Sequence, residues 1–373
     1  MTVLVVNAGS STLKLSLVGD DERLEAASTV DRWDGRDLEA LSDLVAGADR
    51  IHAVGHRIVH GGPRLHSSVR LDDDVLRYLE SISDLAPLHN PRGVAAARAV
   101  ARLLPDVPAV AAFDTAFHAG MPREATTYAL PRSWTAAYAL RRYGFHGLSH
   151  SYAATRAAEL LGRPLHDLRV VTCHLGAGAS LCAVREGRSV DTTMGFTPLA
   201  GLVMQTRSGS IDPGLLLWLL DRGDVDRETL GRILEHESGL RGLTGTSGDL
   251  REVLDARRAG DPDAALGFDV FVHRLSREVG AMAVATGGVD ALVLTGGMGE
   301  HSPELRAETA ERLGFLGIRV DEARNRAADG FGDHDISADG SSVRTLVVAA
   351  AEDIQVAREV GHVLDGATAG ARP

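Results

Sequence analysis

The sequence predicts an internally duplicated α/β protein, and three observations carry this prediction. An apolar run at residues 2–6 leads into a Gly/Ser-rich turn and a second, alternating run at 13–17, which is typical of strand, turn and strand. The same pattern returns about 160 residues later, at 170–174 and 181–184. A third apolar run, 291–295, also ends in glycines.

Between these strands the apolar residues recur at three-to-four spacing, which predicts amphipathic helices. The predicted helices cover residues 94–104, 151–161, 213–220, 266–285 and 303–313. The Asp/Gly/Ser-rich segment 327–342 is predicted to be a loop. Strands that alternate with helices imply a layered sheet with helices on both faces.

Composition excludes several classes of protein. The chain has 373 residues, a net charge of −12 and only one lysine, Lys14, which follows Leu13 and so cannot belong to a Walker A loop. The protein-kinase motifs are absent, and the acidic balance argues against a nucleic-acid partner. Cys173 and Cys182 suggest neither a disulfide framework nor a zinc knuckle. No signal peptide and no membrane-spanning run of ~18 apolar residues is present, so we expect a cytoplasmic protein without a membrane partner.

The glycine turns resemble phosphate cradles. Small residues let the backbone approach a phosphate, and successive N–H groups in such turns converge on an anion. The first turn adds the hydroxyls of Ser10, Ser11 and Thr12 and the ammonium of Lys14. A dinucleotide fingerprint fails, because neither later glycine pair is followed by its third glycine.

Four side chains in separate motifs fit one chemistry. Arg57 lies in a strand-like run before two glycines, Asp114 and His146 lie between aromatic residues, and Arg207 lies in a Ser/Gly loop before a helix. Phosphoryl transfer builds negative charge on phosphate oxygens, and a guanidinium binds such oxygens in a bidentate way. These residues therefore favour phosphoryl transfer.

A zinc hydrolase is the rival interpretation. His52, His56 and His60 recur every four residues, which on a helix would align three ligands. The apolar residues around them favour a strand instead, and no His-Glu-x-x-His pattern occurs.

Seven segments in order closely resemble acetate kinases, the acetokinase family: 5–14, 55–62, 113–118, 143–150, 174–180, 206–213 and 296–302. The resemblance runs from residue 2 to about 358. It implies two duplicated actin-like (ribonuclease H-like) domains with an interdomain nucleotide cleft, residues 1–117 plus 353–373 and residues 118–352. It also implies transfer of a phosphoryl group from ATP to acetate, giving ADP and acetyl phosphate, with Mg²⁺ or alternatively Mn²⁺, in a homodimer.

The resemblance also assigns roles to residues. Arg57 would hold the carboxylate or the phosphoryl group, Asp114 would orient it, and His146 and Arg207 would stabilise the transition state. Asn7 and Glu352 would serve the magnesium site. The acyl group would lie among Val59, Leu88, His89, Phe145 and Pro198.

The nucleotide site implied by the resemblance includes Lys14 in the first hairpin. Its remaining members are His174, Leu175, Gly176, Ala177, Gly178, Asp249, Leu250, Arg251, Gly297, Met298, Gly299, Glu300 and His301. Two departures bear on these assignments, one on the nucleotide site and one on the magnesium site. Ala177 replaces a common asparagine, which removes one side-chain phosphate contact, and Ala351 replaces an asparagine just before Glu352.

Two further functions stay open on the same fold. One is a kinase for propionate or another short-chain carboxylate, because one methylene changes binding by only ~1–3 kcal/mol. The other is an inactive ATP-binding sensor, which the losses at Ala177 and Ala351 motivate.

Overall fold

The structure is a computed structural model that describes residues 1–9, 12–31, 33, 39–48, 50–328 and 330–369. These residues form two compact units. The first comprises Met1–Ala119, Phe145–Tyr152 and the stretch from Ala351 onward, and the second comprises Gly120–Gly144 and Ala153–Ala350. Within the described residues, no helix combines the length and apolar character needed to cross a membrane.

The first unit is built on a six-stranded sheet in the order β3-β2-β1-β4-β6-β5. Its strands are β1 (Val3–Ala8), β2 (Thr12–Val18), β3 (Leu24–Asp31), β4 (Ala53–Ile58), β5 (Val69–Arg70) and β6 (Ala109–Phe113). β1, β2 and β3 form an antiparallel ribbon, β4 and β6 continue the sheet in parallel, and β5 closes it antiparallel.

The second unit repeats this connectivity in the order β9-β8-β7-β10-β12-β11. Its strands are β7 (Arg169–Leu175), β8 (Ala179–Arg185), β9 (Arg188–Thr192), β10 (Ala291–Thr295), β11 (His334–Asp335) and β12 (Arg344–Val347). An antiparallel ribbon is again followed by two parallel pairings and an antiparallel edge. The predicted duplicated α/β class is therefore confirmed.

The helices occupy the segments between the strands. In chain order they are α1 (Glu39–Ala46), α2 (Asp73–Ser81), α3 (Asn90–Leu103), α4 (Arg123–Thr126), α5 (Arg132–Tyr138), α6 (Gly147–Leu161), α7 (Pro213–Arg222), α8 (Arg227–Arg232), α9 (Gly239–Thr244), α10 (Leu250–Arg258), α11 (Pro262–Thr286), α12 (Gly297–His301), α13 (Pro303–Arg312), α14 (Glu322–Ala327) and α15 (Glu352–Ala369).

The five predicted helices correspond to α3, α6, α7, α11 and α13, with ends that differ by a few residues. α3 begins four residues earlier than predicted, because Pro91 in its first turn is compatible with a helix start. The predicted loop 327–342 contains β11, which pairs with β12, while its Asp329 lies outside the described residues.

The compact units differ from the predicted domain boundaries mainly at Phe145–Tyr152, which belongs to the first unit. In this segment the Gly147 N–H donates to the carbonyl of Asp114, a residue of the first unit, at 2.9 Å. The predicted division into functional domains, 1–117 plus 353–373 and 118–352, stays a prediction.

The first sheet is buried on both faces, which explains its uninterrupted apolar strands. Along β1, Leu4 and Val6 belong to one core cluster, and Val3 and Val5 belong to the other. α3 packs against β1 and β4, and α15 packs against β1, β4 and β6. Strand residues alternate between faces, so one short apolar run supplies both cores.

Gly55 on β4 allows α15 to pack closely on the sheet. A Cβ at this position would lie 2.5 Å from Val356 Cγ1 and 2.9 Å from Val360 Cγ2. Both valines are buried in the same core cluster. The glycine is required by close packing, since its φ is not positive.

We therefore predict that Gly55→Ala lowers the free energy of unfolding by about 1–3 kcal/mol, because the added methyl group overpacks the α15 contact. Urea unfolding measures the change. Gly280→Ala on α11 is the matched control, since its Cβ would meet nothing within 4 Å. An equal loss in both variants would contradict the overpacking explanation.

His56, the next residue on β4, is buried, and neither ring nitrogen has a hydrogen-bond partner among the described residues. Burial lowers the pKa of its ring to about 4. In the unfolded chain the ring takes up a proton near pH 6.5. Unfolding between these two pH values is therefore accompanied by proton uptake, so the free energy of unfolding falls as the pH is lowered from 6.5 to 4.

We predict that His56→Leu reduces the slope of the free energy of unfolding against pH, because the titrating ring is removed from both states. The reduction corresponds to at most one proton taken up on unfolding. Urea unfolding measured from pH 4.5 to 7.5 gives the slope. His236→Leu, at an exposed position on the second unit, is the control and should leave the slope unchanged. A His56→Leu slope equal to that of the unaltered protein would refute the assignment.

Candidate active site

Strand register places three of the predicted functional residues in one row across the first sheet. Asn7 on β1 is the Cα partner of Lys14 on β2 and of Arg57 on β4. Partnered residues project to the same face of a sheet, so these three share a face. The predicted hydroxyls of Ser10 and Ser11 lie outside the described residues.

At the β4 end of this row, Arg57 forms an ion pair with Asp114, which directly follows β6. Arg57 Nε donates to Asp114 Oδ1 at 2.9 Å, and Nη2 donates to Oδ2 at 2.6 Å. Nη1 donates to Asn7 Oδ1 at 3.0 Å, and Glu352 Oε2 lies 3.6 Å from Nε. The side chain of Arg57 is 15% exposed and that of Asp114 only 2%. The guanidinium is therefore fixed by two-point pairing in a largely dry environment.

Burial and charge act in opposite directions on this pair. Burial disfavours the cation of Arg57, but Asp114 and Glu352 more than offset this and raise its pKa. Burial raises the pKa of Asp114, against the opposing effect of Arg57. Arg57 consequently stays cationic across the physiological range.

The loop that carries His146 is hydrogen-bonded to Asp114. The His146 N–H donates to the Asp114 carboxylate, and the Gly147 N–H donates to its carbonyl at 2.9 Å. His146 has φ 57°, in the left-handed region that non-glycine residues rarely adopt. A Cβ at Gly147 would lie 2.2 Å from the Asp114 carbonyl oxygen, so only glycine allows this approach. The predicted positions Asp114 and His146 are thus brought together.

Buried imidazoles surround this loop. His118 Nε2 lies 3.0 Å from the Phe145 carbonyl, which can only accept, so this nitrogen carries the proton. His60 Nδ1 accepts from the Gly62 N–H at 2.8 Å, and its ring stands edge-on to Phe145 at 5.5 Å. Burial lowers the pKa of both His60 and His118 to about 4. Both rings are therefore neutral near pH 7.

The predicted acyl-pocket residues are divided between the units. In the first unit Phe145 is buried, Val59 and His89 are half-buried, and Leu88 is 46% exposed. His89 is the N-cap residue of α3. Pro198 lies half-buried in the second unit.

Arg207 differs from Arg57 in having no carboxylate hydrogen-bonded to it among the described residues. Its Nη1 lies 3.3 Å from the Pro198 carbonyl oxygen and 3.8 Å from Met204 Sδ. Burial lowers the pKa of its guanidinium, and Glu235 opposes that shift. Such a weakly compensated cation is suited to bind an anion.

A cavity of about 750 Å³ lies in the second unit. Eight of the predicted nucleotide residues line it: Gly176, Ala177, Asp249, Leu250, Arg251, Gly297, Met298 and His301. These residues come from the β7–β8 turn, the start of α10 and α12. The volume falls within the range of small-molecule sites.

Several predicted nucleotide residues do not line this cavity. Lys14 belongs to the first unit. His174 and Leu175 end β7, Gly178 lies in the β7–β8 turn, and Gly299 and Glu300 lie in α12. The Glu300 carboxylate accepts from Gly296 N–H at 2.7 Å and from Ala350 N–H at 3.0 Å. Glu300 therefore ties the start of α12, which carries Gly297 and Met298, to the segment that follows β12.

Other lining residues were missed by sequence reasoning: Gln205, Leu254, Asp255, Arg258, Ser302, Pro303 and Glu304. Helical spacing could have found three of them, because Leu254, Asp255 and Arg258 lie four and seven residues after Leu250 and Arg251. Gln205 carries no comparable signal, since the fold of an irregular loop brings it to the wall.

The donors proposed for a metal fit a hard cation. The Asn7 and Glu352 side chains both approach the Arg57 guanidinium and offer amide and carboxylate oxygens. Mg²⁺ is typically bound through one or two such groups together with waters and substrate phosphates.

Among the described residues, no group of three or more His, Cys, Asp or Glu side chains is arranged to hold a metal. This finding gives the zinc interpretation no support. His56 lies on a strand, as its neighbours predict, with His52 and His60 beyond its two ends.

A model of the acetokinase family matches residues 37–358. An acetate kinase from a Synechococcus species is 44% identical, with 98% of this chain and 100% of that protein covered. One from Acetivibrio thermocellus is 41% identical, with 96% and 98% covered.

Solved structures agree in fold. The crystal structure of Porphyromonas gingivalis acetate kinase has a TM-score of 0.91 and 34% identity and covers 97% of this chain and 99% of its own. A propionate kinase from Francisella tularensis has a TM-score of 0.89 and 34% identity, with 96% and 98% covered. The family match over most of the chain, together with relatives above 40% identity, shows that the chain belongs to the acetokinase family.

Proposed function

We propose that this protein is an acetate kinase, which reversibly transfers a phosphoryl group from ATP to acetate to give acetyl phosphate and ADP. The observation that carries the proposal is the buried Arg57–Asp114 pair, which holds a guanidinium in a fixed orientation beside Asn7 and Glu352. Family membership supports the reaction, since the curated relatives compared above are named acetate kinases.

Arg57 binds an oxyanion in this account, and Asp114 acts as its positioning residue. Acetate is already ionised near pH 7 and needs no base to become a nucleophile. A carboxylate at Asp114 that orients a guanidinium therefore serves the reaction better than one that takes up a proton. The bidentate contact supports this role because it uses both carboxylate oxygens.

Arg207 and His146 stabilise the charge that develops on the transferring group. Charge spreads over the equatorial oxygens in phosphoryl transfer, and preorganised donors lower the barrier most where that charge appears. Arg207 is half-buried and hydrogen-bonds to no carboxylate in the described part of the chain, so its positive charge is available. The strained backbone of His146 fits a residue held for its position.

The nucleotide belongs to the cavity of the second unit. Gly176 and Gly297 let its phosphates approach the backbone, and Leu250 and Met298 offer apolar surface to the base. Lys14 in the first hairpin supplies an ammonium for the phosphates.

Asn7 and Glu352 would hold Mg²⁺, or Mn²⁺ in its place. When bound, the metal neutralises charge on the nucleotide phosphates during transfer. Its protein ligands are oxygens, as such a cation prefers.

A homodimer is part of the proposal. α7 runs through six consecutive apolar residues, 215–220, yet buries none of its side chains, and Leu217 and Trp218 are 64% and 53% exposed. Apolar area of this kind is typical of a surface covered by a partner, and a second copy of the chain is the occupant that the resemblance implies. The cytoplasmic location also stays part of the proposal.

A propionate kinase is the second candidate function, favoured by the structural match to the Francisella protein. The resemblance assigns the acyl group to a small apolar site that includes Val59, Leu88, Phe145 and Pro198, and one more methylene is worth ~1–3 kcal/mol. Propionate should therefore react more slowly than acetate without being excluded.

We predict that kcat/KM for acetate exceeds that for propionate by about tenfold or more, with butyrate slower still. Trapping of the acyl phosphate as its hydroxamate measures the rates. Val59→Ala should narrow the difference between acetate and propionate, because it enlarges the acyl site.

Arg207→Ala is the control for hydroxamate that forms without efficient catalysis, and its turnover should be lower by roughly 10²–10³-fold. A preference for butyrate would overturn the acetate assignment. No hydroxamate from any of the three acids would favour the ATP-binding sensor instead.

A further inference from the structure

The β7–β8 turn, which forms part of the cavity wall, lacks a polar side chain at residue 177. Ala177, at the tip of the β7–β8 turn, is exposed and lines the cavity, but it offers only a methyl group. The resemblance to acetate kinases implies an asparagine at this position. A phosphate in this cradle would consequently lose one side-chain donor.

Gln205 lies next to Ala177 in the fold. Its backbone N–H donates to the Ala177 carbonyl at 3.2 Å, and both residues line the same cavity. The two positions are 28 residues apart in sequence, so the fold and not local chain geometry brings them together.

The backbone of Gln205 is fixed on both sides. In addition to the bond to Ala177, the Gln205 carbonyl accepts from the Arg241 N–H at 3.0 Å. Gly248 passes beside this carbonyl with φ +81°, and a Cβ there would lie 2.4 Å from the carbonyl oxygen. A side chain that projects from a backbone held in this way is well suited to a binding role.

The carboxamide of Gln205 is half-buried, and no side chain or backbone group among the described residues hydrogen-bonds to it. Its amide nitrogen can donate two hydrogen bonds, whereas phosphate oxygens only accept. The group thus has the chemistry that the asparagine would have provided, on a loop that lies beside the β7–β8 turn.

We propose that Gln205 is a nucleotide-binding residue, whose carboxamide donates to the phosphates of ADP or ATP at the point where Ala177 offers no polar side chain. The inference rests on the proposed nucleotide site. A hydrogen bond to a charged phosphate is stronger than a neutral one, so its loss should weaken binding by about tenfold.

The test compares binding of ADP and of adenosine to the full-length protein by calorimetry. Gln205→Ala should weaken ADP binding by about tenfold and leave adenosine binding unchanged, because only ADP carries the phosphates. Gln205→Glu is nearly isosteric and should weaken ADP further, since a carboxylate repels phosphate. Ala177→Asn added to Gln205→Ala should recover most of the lost ADP affinity.

Glu228→Gln is the matched control, at an exposed position on α8. It exchanges a carboxylate for a carboxamide, the reverse of Gln205→Glu, and should leave the affinities for ADP and adenosine unchanged. Thermal unfolding of each variant separates binding from folding. Unchanged ADP affinity in Gln205→Ala, or equal weakening of ADP and adenosine, would overturn the proposal.

Failure of this inference is distinguishable from failure of the proposed function. Unaltered protein that forms acyl hydroxamate while Gln205→Ala binds ADP normally would reject the inference alone. Protein that forms none, yet binds ADP through Gln205, would reject the function alone.

Discussion

The pairing of Arg57 with Asp114 is the interaction on which the rest of the first unit's site depends. A buried guanidinium is tolerated only with its charge compensated, and removing one partner of such a pair typically costs about 3–5 kcal/mol. The Asp114 carboxylate accepts hydrogen bonds from the Arg57 guanidinium and the His146 N–H, and its carbonyl accepts one from the Gly147 N–H. One residue therefore positions both the cation and the loop that carries the imidazole.

The duplicated sheet explains why these residues meet. In each unit a hairpin precedes a parallel strand, and the register of the first sheet aligns Lys14, Asn7 and Arg57 in one row. The second sheet uses its corresponding hairpin, β7–β8, as part of a cavity wall. The same topology thus supplies a charged row in one unit and a cradle of small residues in the other.

Much of this was predictable from sequence, because it depends on local pattern. Periodicity identified five of the helices and the strands of the two hairpins, and the glycine turns marked those hairpins. The strand nature of His56 also followed from its apolar neighbours. The contacts that could not be predicted join residues distant in sequence. Gln205 reaches the cavity through a loop that is hydrogen-bonded to Ala177, and the buried Glu300 in α12 accepts a hydrogen bond from the Ala350 N–H. Such contacts leave no periodic signal.

We propose that Asp114 acts in the reaction through Arg57 rather than by taking up a proton. A double-mutant cycle of turnover with Asp114→Asn and Arg57→Lys tests it, because lysine keeps the charge but cannot form the two-point contact. The account predicts that Asp114→Asn costs much of the activity in the unaltered protein and little more in the Arg57→Lys background. Equal fold-losses in both backgrounds would contradict it.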